Sequence, residues 1–150
     1  MEGHRLSDQL RFIIPSDFHE GRAIQRRIME EVEKHHFNED AVFAIKLALE
    51  EALINAIKHG NKLDKHKKVR IQCRVTDQEA EMIIEDEGPG FDRSSVPDPT
   101  TVENIERLHG RGILLMEAYM HVIEWSNRGR KVRMVRRNDP PAADNRGSAA

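Results

Sequence analysis

Residues 41–57 constrain the fold of this 150-residue chain more than any other segment. All of them are Ala, Val, Leu, Ile or Phe except Lys46, Glu50, Glu51 and Asn55. The run contains neither Gly nor Pro and is too long for an ordinary strand, so it predicts a helix that is buried on most of its sides. The rest of the chain must therefore supply a core around this helix, and its length is that of a single domain.

Two elements precede the buried helix. Residues 10–15, Leu-Arg-Phe-Ile-Ile-Pro, are short and rich in β-forming side chains, and they end at a proline, so they predict a strand. After the capping residues Ser16 and Asp17, apolar residues recur at helical spacing from Phe18 to His35. This second segment is predicted to be an amphipathic helix.

The periodicity changes after residue 68. Apolar and polar residues alternate over 69–75 and again over 80–84, which is typical of a hairpin. A helical pattern over 113–120 is followed by two further predicted strands, 121–126 and 130–137. The order of elements therefore predicts an α+β fold, a two-layer α/β sandwich in which helices cover one face of a mixed, mainly antiparallel sheet.

Three parts of the chain show no such pattern. We expect a flexible N-terminus over residues 1–9, a globular domain over 10–137 with an irregular lid at about 92–109, and a disordered tail over 138–150. Strands and helices do not alternate regularly, which argues against a doubly wound sheet.

Composition excludes several classes of protein. The chain has 24 Lys+Arg and 26 Asp+Glu, a net charge of −2, so it lacks the basic footprint of a nucleic-acid-binding protein. Its single cysteine, Cys73, excludes an intrachain disulfide and a multi-cysteine zinc site. No apolar run approaches the roughly 18 residues of a membrane span. We therefore expect a cytoplasmic protein that binds neither membrane nor nucleic acid directly.

The buried helix contains two polar residues that need an explanation. Glu51 and Asn55 lie four residues apart and share a face, as does Lys58. A carboxylate and an amide among apolar neighbours must be paired or must line a ligand cavity. Both interpretations, a structural polar pair and a ligand site, remain open on this feature alone.

A second polar motif follows the hairpin, Asp86-Glu87-Gly88-Pro89-Gly90. Asp86 has the same parity as the inward side chains of its strand, so its carboxylate is predicted to point toward the interior. Gly88 and Gly90 would let a ligand approach the backbone. The alternatives are an ordinary acidic Gly-Pro turn and, less favoured, a calcium loop, whose ligand spacing is absent.

A third motif, Gly110-Arg111-Gly112, precedes the predicted helix at 113–120. Backbone N–H groups at a glycine-rich helix start suit phosphate groups. The motif is neither a dinucleotide fingerprint, since Leu115 replaces its third glycine, nor a P-loop.

Taken in this order, the three motifs resemble the N box, G1 box and G2 box of the GHKL ATP-binding superfamily. Within it, the chain is similar to the anti-sigma factor serine-protein kinases of bacterial partner-switching systems. The residues that support this resemblance are 50–60, 86–92 and 110–116, and it extends over about residues 10–137. It implies a Bergerat-type ATP-binding fold with ATP and Mg²⁺ as cofactors.

The resemblance also implies roles for individual residues. Asn55 corresponds to the Mg²⁺ ligand, Glu51 to the general base for a substrate serine, and Asp86 to the carboxylate that receives the adenine amino group. Gly88 and Gly90 correspond to the turn beside the base.

Further residues match the phosphate end of the site. Gly110, Arg111 and Gly112 match the triphosphate loop, with residues 92–109 as the ATP lid. Lys58 and His59 are interpreted either as phosphate contacts or as cations that interact with the helix dipole.

The activity that the resemblance implies is an ATP- and Mg²⁺-dependent serine/threonine-protein kinase. It would phosphorylate a small antagonist protein, sequester a sigma factor or other regulator, and form a homodimer. Arg22 lies where family members contact protein partners, although a surface arginine explains it equally. The alternative is a non-catalytic, ATP-dependent binding module that sequesters a regulatory partner.

Two other features have simpler interpretations. His35 and His36 are predicted to lie on the surface rather than to bind a metal. The basic run over residues 128–137 is predicted to be a solvated strand face.

Overall fold

The computed structural model describes residues 8–90 and 112–138, and in them the predicted order of elements is confirmed. The predicted lid and most of the predicted tail lie outside these residues. The elements are β1 (Asp8–Pro15), α1 (Phe18–Glu33), α2 (Glu39–Ile54), a π-helical segment (Asn55–Gly60), β2 (Lys68–Val75), β3 (Glu79–Glu85), α3 (Ile113–Tyr119), β4 (Val122–Ser126), a short 3₁₀ turn (Asn127–Gly129) and β5 (Lys131–Arg137).

The five strands form one sheet in the order β1-β2-β3-β5-β4, and each neighbouring pair is antiparallel. The mainly antiparallel, helix-covered sheet is thereby confirmed. Its inward positions are the apolar ones that alternation predicts, such as Cys73, Met82 and Met134, which align across three strands. Helices cover this inward face, so the core lies between the two layers.

Helix α2 occupies the centre of the core. Ala44, Ile45, Ala48 and Leu49 are fully buried, and burying one leucine or isoleucine side chain contributes roughly 1.5–3 kcal/mol. Phe43 is the exception: it is 56% exposed and packs edge-on against an aromatic ring of α3, with centroids 5.7 Å apart. One side of the predicted buried helix therefore faces solvent.

The second half of the predicted helix differs from expectation. The α-helix ends at Ile54, and the chain continues to Gly60 as a π-helical segment. The N–H of Asn61 bonds the carbonyl of Ala56, five residues earlier, at 2.9 Å. This wider turn changes which side chains share a face, and π-helical turns occur often at functional sites.

His35 was predicted to lie on the surface, and this is wrong. The side chain is 4% exposed, and its Nδ1 lies 2.7 Å from Oδ1 of Asp77 in the β2–β3 turn. His36 is exposed, as predicted. The contact joins the chain after α1 to the hairpin, which periodicity within α1 could not reveal.

The basic run near the C-terminus is only in part a solvated face. Arg133 lies on the open face of the sheet and pairs with Glu81 and Glu124, which raises the pKa of its guanidinium mainly through the hydrogen bond to Glu81. Arg130 and Arg136 instead donate to backbone carbonyl groups.

Cys73 is expected to resist alkylation in the folded protein. It is 3% exposed, and burial, with smaller contributions from Glu31 and Glu81, raises the pKa of its thiol to about 12. The thiolate is the reactive form, and at pH 8 it would be about one part in 10⁴. Iodoacetamide at pH 8 should modify the native chain at least about 100-fold more slowly than the chain in guanidinium chloride. Equal rates would contradict this burial.

Candidate functional site

The turn after β3 holds the first predicted site residue. Asp86 is 6% exposed, which confirms its inward orientation. Its backbone N–H donates to the carbonyl of Arg130 at 2.9 Å, and its Oδ1 accepts from the N–H of Gly88 at 2.8 Å. The carboxylate is therefore held in place at the end of the strand.

Two glycines let this turn lie directly against the π-helical segment. A Cβ atom on Gly60 would overlap the carboxyl group of Asp86, and a Cβ atom on Gly88 would overlap the carbonyl oxygen of Gly60. The backbone of the turn and the end of the helical segment thus touch without intervening side chains. This close approach brings Asp86 near the residues that follow α2.

A small polar cavity lies at this junction, with a volume of about 60 Å³. It is lined by Asn55, His59, Gly60, Lys62, Asp86, Pro89, Gly90 and Gly129. Four predicted site residues, Asn55, His59, Asp86 and Gly90, are therefore brought together from two distant parts of the chain. Lys62 and Gly129 join them without having been predicted.

The small polar cavity forms only part of the predicted nucleotide site. Ligand pockets usually measure about 300–1,000 Å³, so a cavity of about 60 Å³ is smaller than a complete nucleotide site. The predicted phosphate-binding residues Gly110 and Arg111 lie outside the described residues, as does the predicted lid.

Glu51 lies one turn before Asn55 and is half-buried. The start of α3 packs directly against Glu51: a Cβ atom on Gly112 would overlap Oε1 of Glu51. Gly112 also adopts a positive φ of 74°. A residue with a side chain would be strained at this φ and would displace the carboxylate. The structure thus brings Glu51 into contact with Gly112, the last glycine of the third motif.

Lys58 does not join this cluster. It is exposed and lines a second, larger cavity of about 470 Å³ between α1 and α2. A π-helical turn contains more residues than an α-helical one, so the residue four positions after Asn55 stays near its face while the third turns away. His59 therefore takes the place that α-helical spacing suggested for Lys58.

The larger cavity is mainly apolar. Arg22 lines it, together with Lys58 and Glu50. The remaining lining residues are Phe18, Gly21, Gln25, Leu53, Ile54, Ile57 and Leu63. The predicted partner-contact residue thus lies in a groove separate from the polar cavity.

Asn61 is a residue beside the site that sequence analysis missed. Its side chain is fully buried. Nδ2 donates to Oγ of Ser16 at 2.8 Å and to the carbonyl of Lys68 at 3.0 Å, while Oδ1 accepts from the N–H of Glu87 at 2.7 Å. Three separate segments meet at this one amide.

Arg130 is the second missed residue. Its Nε donates to the carbonyl of Gly88 at 2.6 Å, and its Nη2 donates to the carbonyl of Pro89 at 3.1 Å. It belongs to the basic run, which predicted solvent exposure, so the sequence contained no signal for this role.

Glu87 fixes the opposite, exposed edge of the turn. Its carboxylate accepts from the backbone N–H of Lys68 at 2.9 Å and from Arg70 at 3.2 Å. The backbone hydrogen bond from Lys68, and then Arg70, lower the pKa of this carboxyl group. Glu87 therefore stays ionised and faces away from the cavity.

Comparison with known proteins agrees with this geometry. A model of the histidine kinase-like ATPase domain matches residues 14–136. An anti-sigma F factor of Oceanobacillus iheyensis is 36% identical over 88 residues, which are 57% of this chain and 60% of the relative. An anti-sigma F factor of Clostridium perfringens strain SM101 is 33% identical over 99 residues, 62% of this chain and 70% of the relative.

A third relative bears a different name. The serine-protein kinase RsbW of Bacillus subtilis is 32% identical over 94 residues, 59% of each chain. The chain thus spans about three fifths of the Oceanobacillus and Bacillus proteins it matches.

The fold and these matches define a GHKL protein with an ATP-binding, histidine kinase-like ATPase domain. Within that superfamily, the chain belongs to the family of anti-sigma factors and serine-protein kinases that the three relatives represent. In the described part of the chain, no helix is long and apolar enough to cross a membrane.

Proposed function

We propose that this chain is an ATP- and Mg²⁺-dependent serine-protein kinase that acts as an anti-sigma factor. The observation that supports this most is the shared polar cavity of Asn55 and Asp86, with Glu51 one turn before Asn55. A purely structural polar pair would not need the glycine contacts that bring Asp86 against the end of the helical segment.

The residues present fit a magnesium nucleotide. Asp86 offers a buried carboxylate acceptor for an exocyclic amino group, held in one orientation by Gly88. Asn55, which is 5% exposed, offers an amide oxygen, a hard ligand suited to Mg²⁺. Lys62 and His59 line the same cavity, and Lys62 can contribute positive charge near phosphate oxygens. We assign Gly110 and Arg111 to the triphosphate loop with Gly112.

In this proposal, each residue has one task. Asn55 would hold the metal ion and Asp86 the adenine ring, and Glu51 would accept the proton of a serine hydroxyl on the antagonist protein. Bound ATP would supply the phosphoryl group, and Mg²⁺ would neutralise charge on its phosphates. Gly112, which precedes α3, leaves room for the side chain of Glu51.

The partners follow from the names of the relatives. Anti-sigma F factors imply a sigma factor, and RsbW implies a protein with a substrate serine. We assign Arg22 and the groove between α1 and α2 to partner contact. We also propose a homodimer that works in the cytoplasm.

ATP binding is expected to depend on Mg²⁺ and on both cavity residues. Asn55→Ala should remove the Mg²⁺ dependence, and Asp86→Asn should weaken ATP binding about 5- to 150-fold, because a buried hydrogen-bond partner contributes about 1–3 kcal/mol. Titration calorimetry with and without Mg²⁺ measures both effects. Asp40→Asn, the same exchange at an exposed position of α2, should bind ATP like the wild type.

The outcomes separate cleanly. If the folded wild-type chain binds no ATP, the proposed function is wrong. If ATP binds and both cavity variants bind it equally well, the nucleotide lies elsewhere, and the larger groove becomes the next place to test.

A further inference from the structure

Two side chains that the proposed mechanism does not use hold the Asp86 turn from opposite sides. On one side, the fully buried amide of Asn61 accepts from the N–H of Glu87, the residue directly after Asp86. On the other side, the guanidinium of Arg130 donates to the carbonyl groups of Gly88 and Pro89. The turn is therefore attached at three consecutive residues.

The attachment through Asn61 reaches well beyond the turn. Its Nδ2 atom uses both hydrogens, one toward Ser16 after β1 and one toward the carbonyl of Lys68 at the start of β2. Ser16 is itself fixed, because its Oγ donates to the carbonyl of Lys67 at 2.7 Å. Asn61 thus anchors the turn to two strands of the sheet.

Arg130 attaches the same turn to the other half of the sheet. Its guanidinium also donates to the carbonyl of Asn127 at 3.3 Å, and its own carbonyl accepts the N–H of Asp86. Arginine suits this task because its planar group presents several donors in a fixed arrangement, which lysine lacks. Both backbone and side chain of Arg130 therefore constrain the turn.

We infer that Asn61 and Arg130 are positioning residues that determine how strictly the site discriminates adenine from guanine nucleotides. This inference rests on the proposed ATP site. At the position where adenine presents an amino donor, guanine presents a carbonyl oxygen, which a carboxylate such as Asp86 repels. A site built around one hydrogen bond rejects a mismatched group strongly only when its acceptor cannot move aside. Asn61 and Arg130 supply that rigidity.

The selectivity ratio, Kd for GTP divided by Kd for ATP, tests the inference. Titration calorimetry with Mg²⁺ should show the ratio falling at least about tenfold in Asn61→Ala, Arg130→Gln and Arg130→Lys. The lysine variant keeps the charge but loses the paired donors, so its loss of selectivity indicates positioning. Arg133→Gln is the matched control on β5, and its ratio should equal that of the wild type.

Hydrogen exchange provides a readout that needs no ligand. The N–H of Gly88 donates to Asp86 within the turn, so its exchange should become at least about tenfold faster in the Asn61 and Arg130 variants. Amides in the middle of β3 should keep their wild-type rates. Faster exchange throughout β3 would indicate general destabilisation and would overturn a positioning role. If Asn61→Ala does not fold, the two Arg130 variants decide the matter.

The two proposals fail in different ways. A wild-type chain that binds no ATP overturns the proposed function, and the selectivity inference with it. A wild-type chain that prefers ATP, together with unchanged ratios in the variants, overturns only the inference. If Arg130→Gln weakens ATP and GTP binding equally and Arg130→Lys restores both affinities, Arg130 would be assigned to phosphate attraction instead.

Discussion

Glu51→Gln is expected to lower the rate of phosphotransfer to the antagonist protein by at least about 100-fold while leaving ATP affinity within about twofold of wild type. General-base catalysis contributes about 10²–10⁴-fold, and glutamine keeps the shape of the side chain but cannot accept the proton. Glu51 lies against Gly112 rather than in the wall of the small cavity, so nucleotide binding should not need its charge. Transfer of label from γ-labelled ATP and calorimetric titration measure the two quantities.

Glu39→Gln is the matched control, because Glu39 is an exposed glutamate on the same helix. It should transfer phosphate at the wild-type rate. A Glu51→Gln variant that retains full phosphotransfer would mean that the assigned base is wrong. If the wild type binds ATP and its partner but phosphorylates nothing, the non-catalytic binding module replaces the kinase.

Gly88→Ala is expected to be the most damaging single exchange in the described site. The new Cβ atom would overlap the carbonyl oxygen of Gly60, which is backbone and cannot rotate away. Overpacking costs typically 1–3 kcal/mol and sometimes more, so we expect a loss of about 3 kcal/mol in the free energy of unfolding. ATP affinity should fall at least about tenfold, because the turn that holds Asp86 must move.

Gly21→Ala provides the comparison, since it is also a glycine-to-alanine exchange at a buried position. There the Cβ atom would meet only the flexible end of Ile57, 3.0 Å away, and alanine favours the helix. Denaturant unfolding of both variants should therefore show a near-neutral Gly21→Ala. A Gly88→Ala chain with wild-type stability and ATP affinity would show that the turn does not need its contact with Gly60.

Much of the fold was predictable because local periodicity reports which side of an element is buried. The apolar run of α2 identified the central helix, and alternation over β2 and β3 identified the inward face. The same parity placed Asp86 in the interior. These properties depend only on residues within a few positions of each other, so they can be read without knowing the neighbours.

The separation of Lys58 from Asn55 could not be predicted in this way. Helical spacing grouped Lys58 with Asn55, whereas the π-helical segment turns Lys58 into the larger groove and keeps His59 beside the cavity. The wider turn accompanies the close backbone contact between Gly60 and Gly88, which lie far apart in sequence. A periodicity that assumes an α-helix throughout therefore places Lys58 on the face of Asn55, where the structure has His59.

What the sequence alone determined is the set of chemical groups and the face on which each lies: a carboxylate and an amide on a buried helix, an inward aspartate after a strand, and glycines where backbones meet. The tertiary structure decided which groups meet. Asn61 joins Ser16 and Glu87, which are 45 and 26 residues away, and Arg130 reaches Gly88 across 42 residues. Such hydrogen bonds depend on β5 lying beside β3 and on the packing of both layers, which no local pattern encodes.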